Sequence, residues 1–387
     1  MNLSPHSLIL DPFAGSGVIG TGCQSAHLRF FGIEAHPLVA ELANLKLRPA
    51  PGPPTELRNE ATRIADIVRT KAVATKRRIE RLQSTETDLV VRSFTGPVLA
   101  ELTALRDEIK QGSRVKWEPY LRWALLATLR DVAAVKVGWP YQRPAAARKP
   151  IHSDPISRFL VRVHWISEDI AIRSDADAGL SRVVAGDSRN PDAWSLEEQL
   201  GQGCISSPPY LNNFDYADAT RLELYFWGYA SSWAEMCATV RVDMVTATTQ
   251  QSSAPAAQAA VQQLLQVGTF GDHLTPLIAA LKDERAARPR GKEYDQVLPD
   301  YFAAMAQVLK NLAAALEPDA LSIWLIGDSA PYGVYVDTPA LIGKLAEEYG
   351  FTVEKDVTMR KRGARWAQNQ TRHNIELTER AMLFRRT

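Results

Sequence analysis

Three glycines within six residues, Gly15-Ser-Gly17-Val-Ile-Gly20, stand just behind a short apolar run that ends in an acid, Ser7-Leu-Ile-Leu-Asp11, with only Pro12-Phe13-Ala14 between them. Glycine reaches backbone conformations closed to other residues and lets a helix start close against a strand, so this spacing predicts strand, tight turn, helix. A second apolar run, Arg29-Phe-Phe-Gly-Ile-Glu34, also ends in an acid and leads through Pro37 into helical text to about Leu47. Two acid-tipped strands joined by a helix are the start of a βαβ unit, which commits the chain to a parallel sheet covered by helices.

Beyond Leu47 the pattern changes. Arg48-Pro-Ala-Pro-Gly-Pro-Pro54 breaks the chain, and text rich in Arg, Glu, Leu and Ala reads as helical to about residue 135. The α/β text resumes at Arg182-Val-Val-Ala-Gly-Asp187 and Gly203-Cys-Ile-Ser-Ser-Pro-Pro-Tyr210. Leu321–Asp328 is a further strand, helices are expected near Asp300–Leu316 and Pro339–Tyr349, and Phe351–Thr358 with Ile375–Phe384 form a closing antiparallel pair. The Gln/Ala/Ser-rich interval 246–291 reads as an inserted, partly mobile segment. The expected organisation is an α/β domain from 1–48 and 181–387, doubly wound around a mostly parallel seven-stranded sheet, interrupted by a helical domain at 49–180.

Composition narrows the class. The chain has 387 residues, 45% hydrophobic and 23% charged, which excludes wholesale disorder and fibrous folds. Three cysteines without CxxC spacing argue against a disulfide framework or a structural zinc, and the seven histidines lack metal-ligand spacing, so no metal is expected. No apolar run reaches the roughly 18 residues that span a bilayer. A reducing, cytoplasmic setting away from membranes is the expectation. The formal charge is only +1, so attraction to nucleic acid must come from local clustering. Such a cluster exists between Lys110 and Trp165: eleven Lys and Arg against three acids, interleaved with Trp117, Tyr120, Trp123, Trp139, Tyr141 and Trp165. That mixture suits phosphates and unstacked bases, and equally a helical domain with solvated basic faces and core tryptophans. A second cluster, Arg360-Lys-Arg-Gly-Ala-Arg365-Trp366, is a candidate phosphate grip.

Alone, GxGxxG with an acid at Glu34 suits a dinucleotide site or mere close packing. With Asp11-Pro-Phe-Ala-Gly-Ser-Gly17 ahead and Ser207-Pro208-Pro209-Tyr210 later, the sequence resembles the S-adenosylmethionine-dependent DNA methyltransferases that act on exocyclic amino groups. The resemblance covers about 7–48 and 181–387. It implies a cofactor site of Asp11, Phe13, Ala14, Gly15, Gly17, Glu34 and Asp187: Asp11 toward the methionine amino group, Gly15 and Gly17 for close backbone approach, Phe13 lining the pocket, Glu34 on the ribose hydroxyls, Asp187 toward the adenine. Asp187 and Glu34 have an alternative use as helix caps. The catalytic loop would be Ser207, Pro208, Pro209 and Tyr210.

An exocyclic amine is a poor nucleophile because its lone pair is delocalised into the ring. Acceptors on its two N–H bonds, the Ser207 side chain and the Pro208 carbonyl, would draw that pair out, on a loop stiffened by two prolines. Tyr210 would offer a flat face to a base rotated out of double-stranded DNA. Serine in the first loop position leans toward cytosine N4, with adenine N6 or an RNA substrate as the alternative. Carbon-5 methylation needs a cysteine next to the catalytic proline, and Tyr210 stands there. Asn212 to Tyr216 extend the loop. The resemblance further implies restriction-modification and phage defence. Only ten residues precede Asp11, so the pocket wall that the resemblance places ahead of the cofactor loop is expected from 139–159 or from a partner subunit or second copy, the alternative being an unusually open pocket. A non-catalytic nucleic-acid-binding subunit of a larger assembly is the reading from a different class.

Overall fold

Leu8–Asp11 forms strand β1, and all four of its residues are buried. It pairs in parallel with β2 (Arg29–Glu34) on one side and β4 (Gly201–Ser206) on the other. β2 pairs in parallel with β3 (Ser181–Ala185), and β4 with β5 (Leu316–Gly327). β7 (Leu377–Arg386) lies antiparallel between β5 and β6 (Phe351–Arg362). The sheet therefore has seven strands in the order β3-β2-β1-β4-β5-β7-β6. The computed structural model describes residues 3–71, 73–112, 116–138, 154–173, 181–196, 199–211, 214–249, 252–288, 290–362 and 376–387.

The central strands bury both faces, as in a doubly wound sheet, while β6 is largely exposed. Ile9, Phe30 and Val183 pack with Cys23, Ala40, Ala43 and Leu47 of the helices Val18–Ser25 and Pro37–Leu47. Leu8, Leu10, Phe31 and Ile33 point the other way, into a larger core with Phe302, Leu309 and Leu312 of helix Tyr294–Ala315 and Leu345 of helix Thr338–Glu348. Each fully buried Leu, Ile or Phe contributes roughly 1.5–3 kcal/mol. A one-residue slip of β1 would exchange the two sets of side chains, so the pattern of apolar residues fixes the register. The polar interval 246–291 is not merely a loop: it carries helices Ala254–Leu264 and Phe270–Ala286, which send Leu264, Phe270, Leu274 and Leu281 into the larger core.

Contacts divide the chain into two compact units. One comprises Met1–Leu47, Gly179–Asp215 and Asp243–Thr387; the other comprises Arg48–Ala178 and Tyr216–Val242. The second is helical, and its return segment Tyr216–Val242 is a crossing that the sequence reading does not contain. Its helices Gly96–Gly112 and Glu118–Val132 bury Leu99, Leu105, Leu121, Leu125 and Leu129. Trp117 and Tyr120 belong to this core, stacked edge to face with ring centroids 5.5 Å apart, and Trp117 is fully buried.

The basic side chains of this unit are largely committed within it. Arg130 pairs with Glu223 at 2.6 Å, Lys116 with Glu56 at 2.5 Å, and Asp131 holds both Arg158 and Arg162. Lys110 donates to the Trp227 carbonyl at 2.8 Å. Trp165 stays 46% exposed, with the guanidinium groups of Arg158 and Arg162 over its ring. Arg114, Trp139, Tyr141, Arg143, Arg148, Lys149 and most of the expected wall segment 139–159 lie outside the described residues. Among the described residues, no helix is long and apolar enough to cross a membrane.

Candidate active site

The strand order reverses between β1 and β4. In open α/β sheets the crevice outside the carboxyl ends of the strands at such a reversal is where ligands bind. Asp11 ends β1 and Ser206 ends β4; the Ser206 hydroxyl donates to Asp11 Oδ1 at 2.6 Å, and the Phe13 amide donates to the same oxygen at 3.0 Å. Asp11 is 2% exposed, and burial, reinforced by the nearby charge of Glu34, pushes its carboxyl up to about 7 against the opposing effect of these two donors. No cation is found among its described partners. A cation brought beside a carboxylate buried in this way would stabilise its ionised form.

Glu34, at the tip of β2, accepts from the Gly15 amide on Oε2 and the His36 amide on Oε1, both at 2.8 Å. Burial raises its carboxyl above the ordinary range. Each of its oxygens retains a second lone pair for a further donor. His36 is buried and held down to about 4, hence neutral. The loop between these acids is pinned by Ala14 N–H to the Ile33 carbonyl at 2.9 Å and by Lys46 Nζ to the Ser16 carbonyl at 2.7 Å.

The first two glycines of the turn do different work. Gly17 caps helix Val18–Ser25 in the left-handed region, φ 76°, and a Cβ there would come within 3.0 Å of Ala43 Cβ. Gly15 also has positive φ, 51°, but a Cβ there would meet only the Phe13 carbonyl at 4.0 Å, so the space above it is open. Gly17→Val is therefore expected to lower folding stability by about 2–5 kcal/mol, from backbone strain and overpacking, read in a urea melt. Gly15→Ala should cost only about 1–2 kcal/mol.

The proposed catalytic loop leaves β4 beside this turn. Ser207 is exposed and its hydroxyl donates to the Leu325 carbonyl on β5 at 3.2 Å. Pro208 is buried, while Pro209 and Tyr210 are half-buried. The Tyr210 hydroxyl interacts with Ser207 and Glu379, and burial raises its pKa. Arg362 lies over the Tyr210 ring, 5.0 Å from guanidinium carbon to ring centroid. Glu379 and Arg362 were missed by sequence reasoning as neighbours of this loop. Arg360 and Arg362, read there as part of a phosphate grip, both face Glu379: Arg360 is hydrogen-bonded to it while its side chain stays 70% exposed, and Arg362 Nε is 3.8 Å from Oε1. Arg365 and Trp366 of that cluster, and Asn212 and Asn213 of the loop extension, lie outside the described residues.

Asp187 follows β3, one strand beyond Glu34. Its carboxylate accepts from the Arg189 amide at 2.8 Å and from Arg189 Nε at 2.8 and 2.9 Å. It caps no helix, since Asn190 caps the short turn at Pro191–Ala193. Phe13 packs edge to face on Trp324 at 6.2 Å, which ties the turn after β1 to β5. Cys204 is fully buried, and burial pushes its thiol far up, so it supplies no nucleophile.

The mostly parallel seven-stranded sheet with helices around it is consistent with a methyltransferase-like α/β fold. Sequence comparison agrees. The chain is 22% identical over 380 residues to Type II methyltransferase M.AvaI of Nostoc sp. (strain PCC 7120) and to that of Anabaena variabilis, covering 90% of this chain and 73% of each relative. No protein-family profile matches the chain.

Proposed function

We propose that this protein transfers a methyl group from S-adenosylmethionine to the exocyclic N4 amine of cytosine in double-stranded DNA, with the target base rotated out of the helix. The observation that carries the reading is the Asp11–Ser206 hydrogen bond, which ties the tip of the strand bearing the cofactor loop to the residue preceding Ser207. Similarity to a Type II methyltransferase supports it.

The residues fit the cofactor. Asp11 would receive the ammonium, the start of helix Val18–Ser25, which has no side-chain cap, the carboxylate, and Glu34 the ribose hydroxyls. Phe13, Ala14, Gly15 and Gly17 would form the floor, and Asp187 with its Arg189 partner would lie toward the adenine. When bound, the cofactor supplies an electrophilic methyl on a sulfonium.

The chain's own part is orientation. With the Ser207 proton directed to the Leu325 carbonyl and the Tyr210 hydroxyl beside it, one lone pair of the Ser207 oxygen is left to accept from the target amine, and the Pro208 carbonyl takes its second N–H. Pro208 and Pro209 hold those acceptors in place before the substrate arrives. Tyr210 supplies the stacking face. The helical unit is the proposed target reader, and the setting is a cytoplasmic restriction-modification or phage-defence system.

Incubating the protein with unmethylated plasmid DNA and labelled S-adenosylmethionine, then digesting to nucleosides for mass spectrometry, should yield N4-methylcytosine. N6-methyladenine would move the substrate, and no methylated nucleoside would refute the reading. Ser207→Ala should lower the rate by about tenfold, roughly 1.4 kcal/mol of barrier, without weakening cofactor binding in calorimetry.

A further inference from the structure

The tetrad's tyrosine is enclosed by groups from the far edge of the sheet. β7 runs antiparallel to both neighbours, and its register places Glu379 opposite Gly327 on β5 and Arg360 on β6. Glu379 is 5% exposed, and its carboxylate is held below the usual range by Arg360 and Arg362. Arg362 is tethered too. Its Nη1 donates to the Asp328 carbonyl at 3.1 Å, and Asp328 is itself buried, accepting from the Thr378 amide and hydroxyl at 2.8 Å each. Gly327 completes the enclosure: a Cβ there would come within 3.0 Å of Tyr210 Cδ2 and would overlap Arg362 Nη1.

Resting on the methyl-transfer reading above, we propose that Arg362 is a positioning residue for Tyr210. Arg362 covers one face of the ring, so the extruded base stacks on the other. A ring covered on one side has a single face to offer, and a methyl transfer that depends on geometry set in advance needs that. A guanidinium over an aromatic face is attracted by the ring's negative quadrupole, so the covered face is the one Arg362 selects.

The test uses the full chain with 3-fluorotyrosine incorporated at position 210 and read by fluorine NMR without DNA or cofactor. Arg362→Leu should shift the resonance, Arg362→Lys should largely restore it by keeping a cation, and Lys361→Leu, on an exposed neighbour, should leave it in place. Gly327→Ala should shift it as Arg362→Leu does, which keeps the test decisive if the leucine variant folds poorly. On unmethylated plasmid DNA, Arg362→Leu should lower kcat by about tenfold or more with cofactor Kd unchanged, and Arg362→Lys should recover most of it. An unmoved resonance in Arg362→Leu and Gly327→Ala, or a moved resonance with unchanged kcat, overturns the proposal. If the wild-type protein methylates no DNA, the functional reading fails, while the fluorine shifts still decide whether the ring is clamped.

Discussion

Asp11→Asn is expected to abolish S-adenosylmethionine binding and, in the same protein, to raise folding stability at pH 8. The substitution keeps shape and an acceptor for Ser206 but removes a charge that is 2% exposed. The folded-state carboxyl titrates near 7 against an ordinary 3.8. Between those values the native state holds a proton that the unfolded chain has released, so wild-type stability declines as pH rises through this window and levels off above about 7. The gap of about three pH units corresponds to at most about 4 kcal/mol. The stability advantage of Asp11→Asn should therefore be small near pH 4, grow to pH 7 and then plateau, as thermal melts across pH would report. Cofactor affinity runs the opposite way. An ammonium needs the ionised carboxylate, so calorimetric affinity should rise about tenfold from pH 6 to pH 8 and then flatten. A pH-independent affinity, or ordinary binding by Asp11→Asn, would remove Asp11 from the cofactor site.

Tyr210→Ala should slow methyl transfer by about 10- to 100-fold in single-turnover assays, since stacking of a base on an aromatic ring contributes roughly 1–3 kcal/mol. The cofactor dissociation constant should stay the same, because among the described residues the ring contacts Arg362 and Gly327 rather than the glycine turn. Tyr210→Phe keeps the stacking face while losing the hydroxyl, and should retain most of the rate. If the alanine variant turns over as fast as the wild type, the base is held elsewhere.

What could be read ahead of the structure was local. The β1 turn was legible because four buried residues ending in an acid, followed by glycines, leave the backbone little choice, and Gly17 adopts the left-handed conformation that the spacing demands. The closing strand pair was legible for the same reason, though both strands run beyond the expected ends. Long-range pairing was not. Arg362 and Glu379 reach Tyr210 only through the register of β7 against two partners, and no local pattern encodes that. Asp187 was placed correctly behind a strand, but its engagement with Arg189 depends on the turn geometry of three residues.

The basic aromatic stretch left two readings open in the sequence, and Trp117 and Tyr120 take the core one: they sit among basic residues in sequence yet are buried, because helical periodicity turns them inward. The interval 246–291 was read as polar and partly mobile although Ala254–Leu264 is rich in alanine, the residue with the highest helix propensity, and its apolar anchors are spaced too widely to stand out.

The position of β7 has a bearing on how the chain is made. It is made after β6 yet lies between β5 and β6, so β5 keeps a bare hydrogen-bonding edge while the ribosome adds everything between Gly327 and Leu377. Exposed edges of that kind invite wrong partners during translation, so this interval is the window in which the nascent α/β unit is open to them.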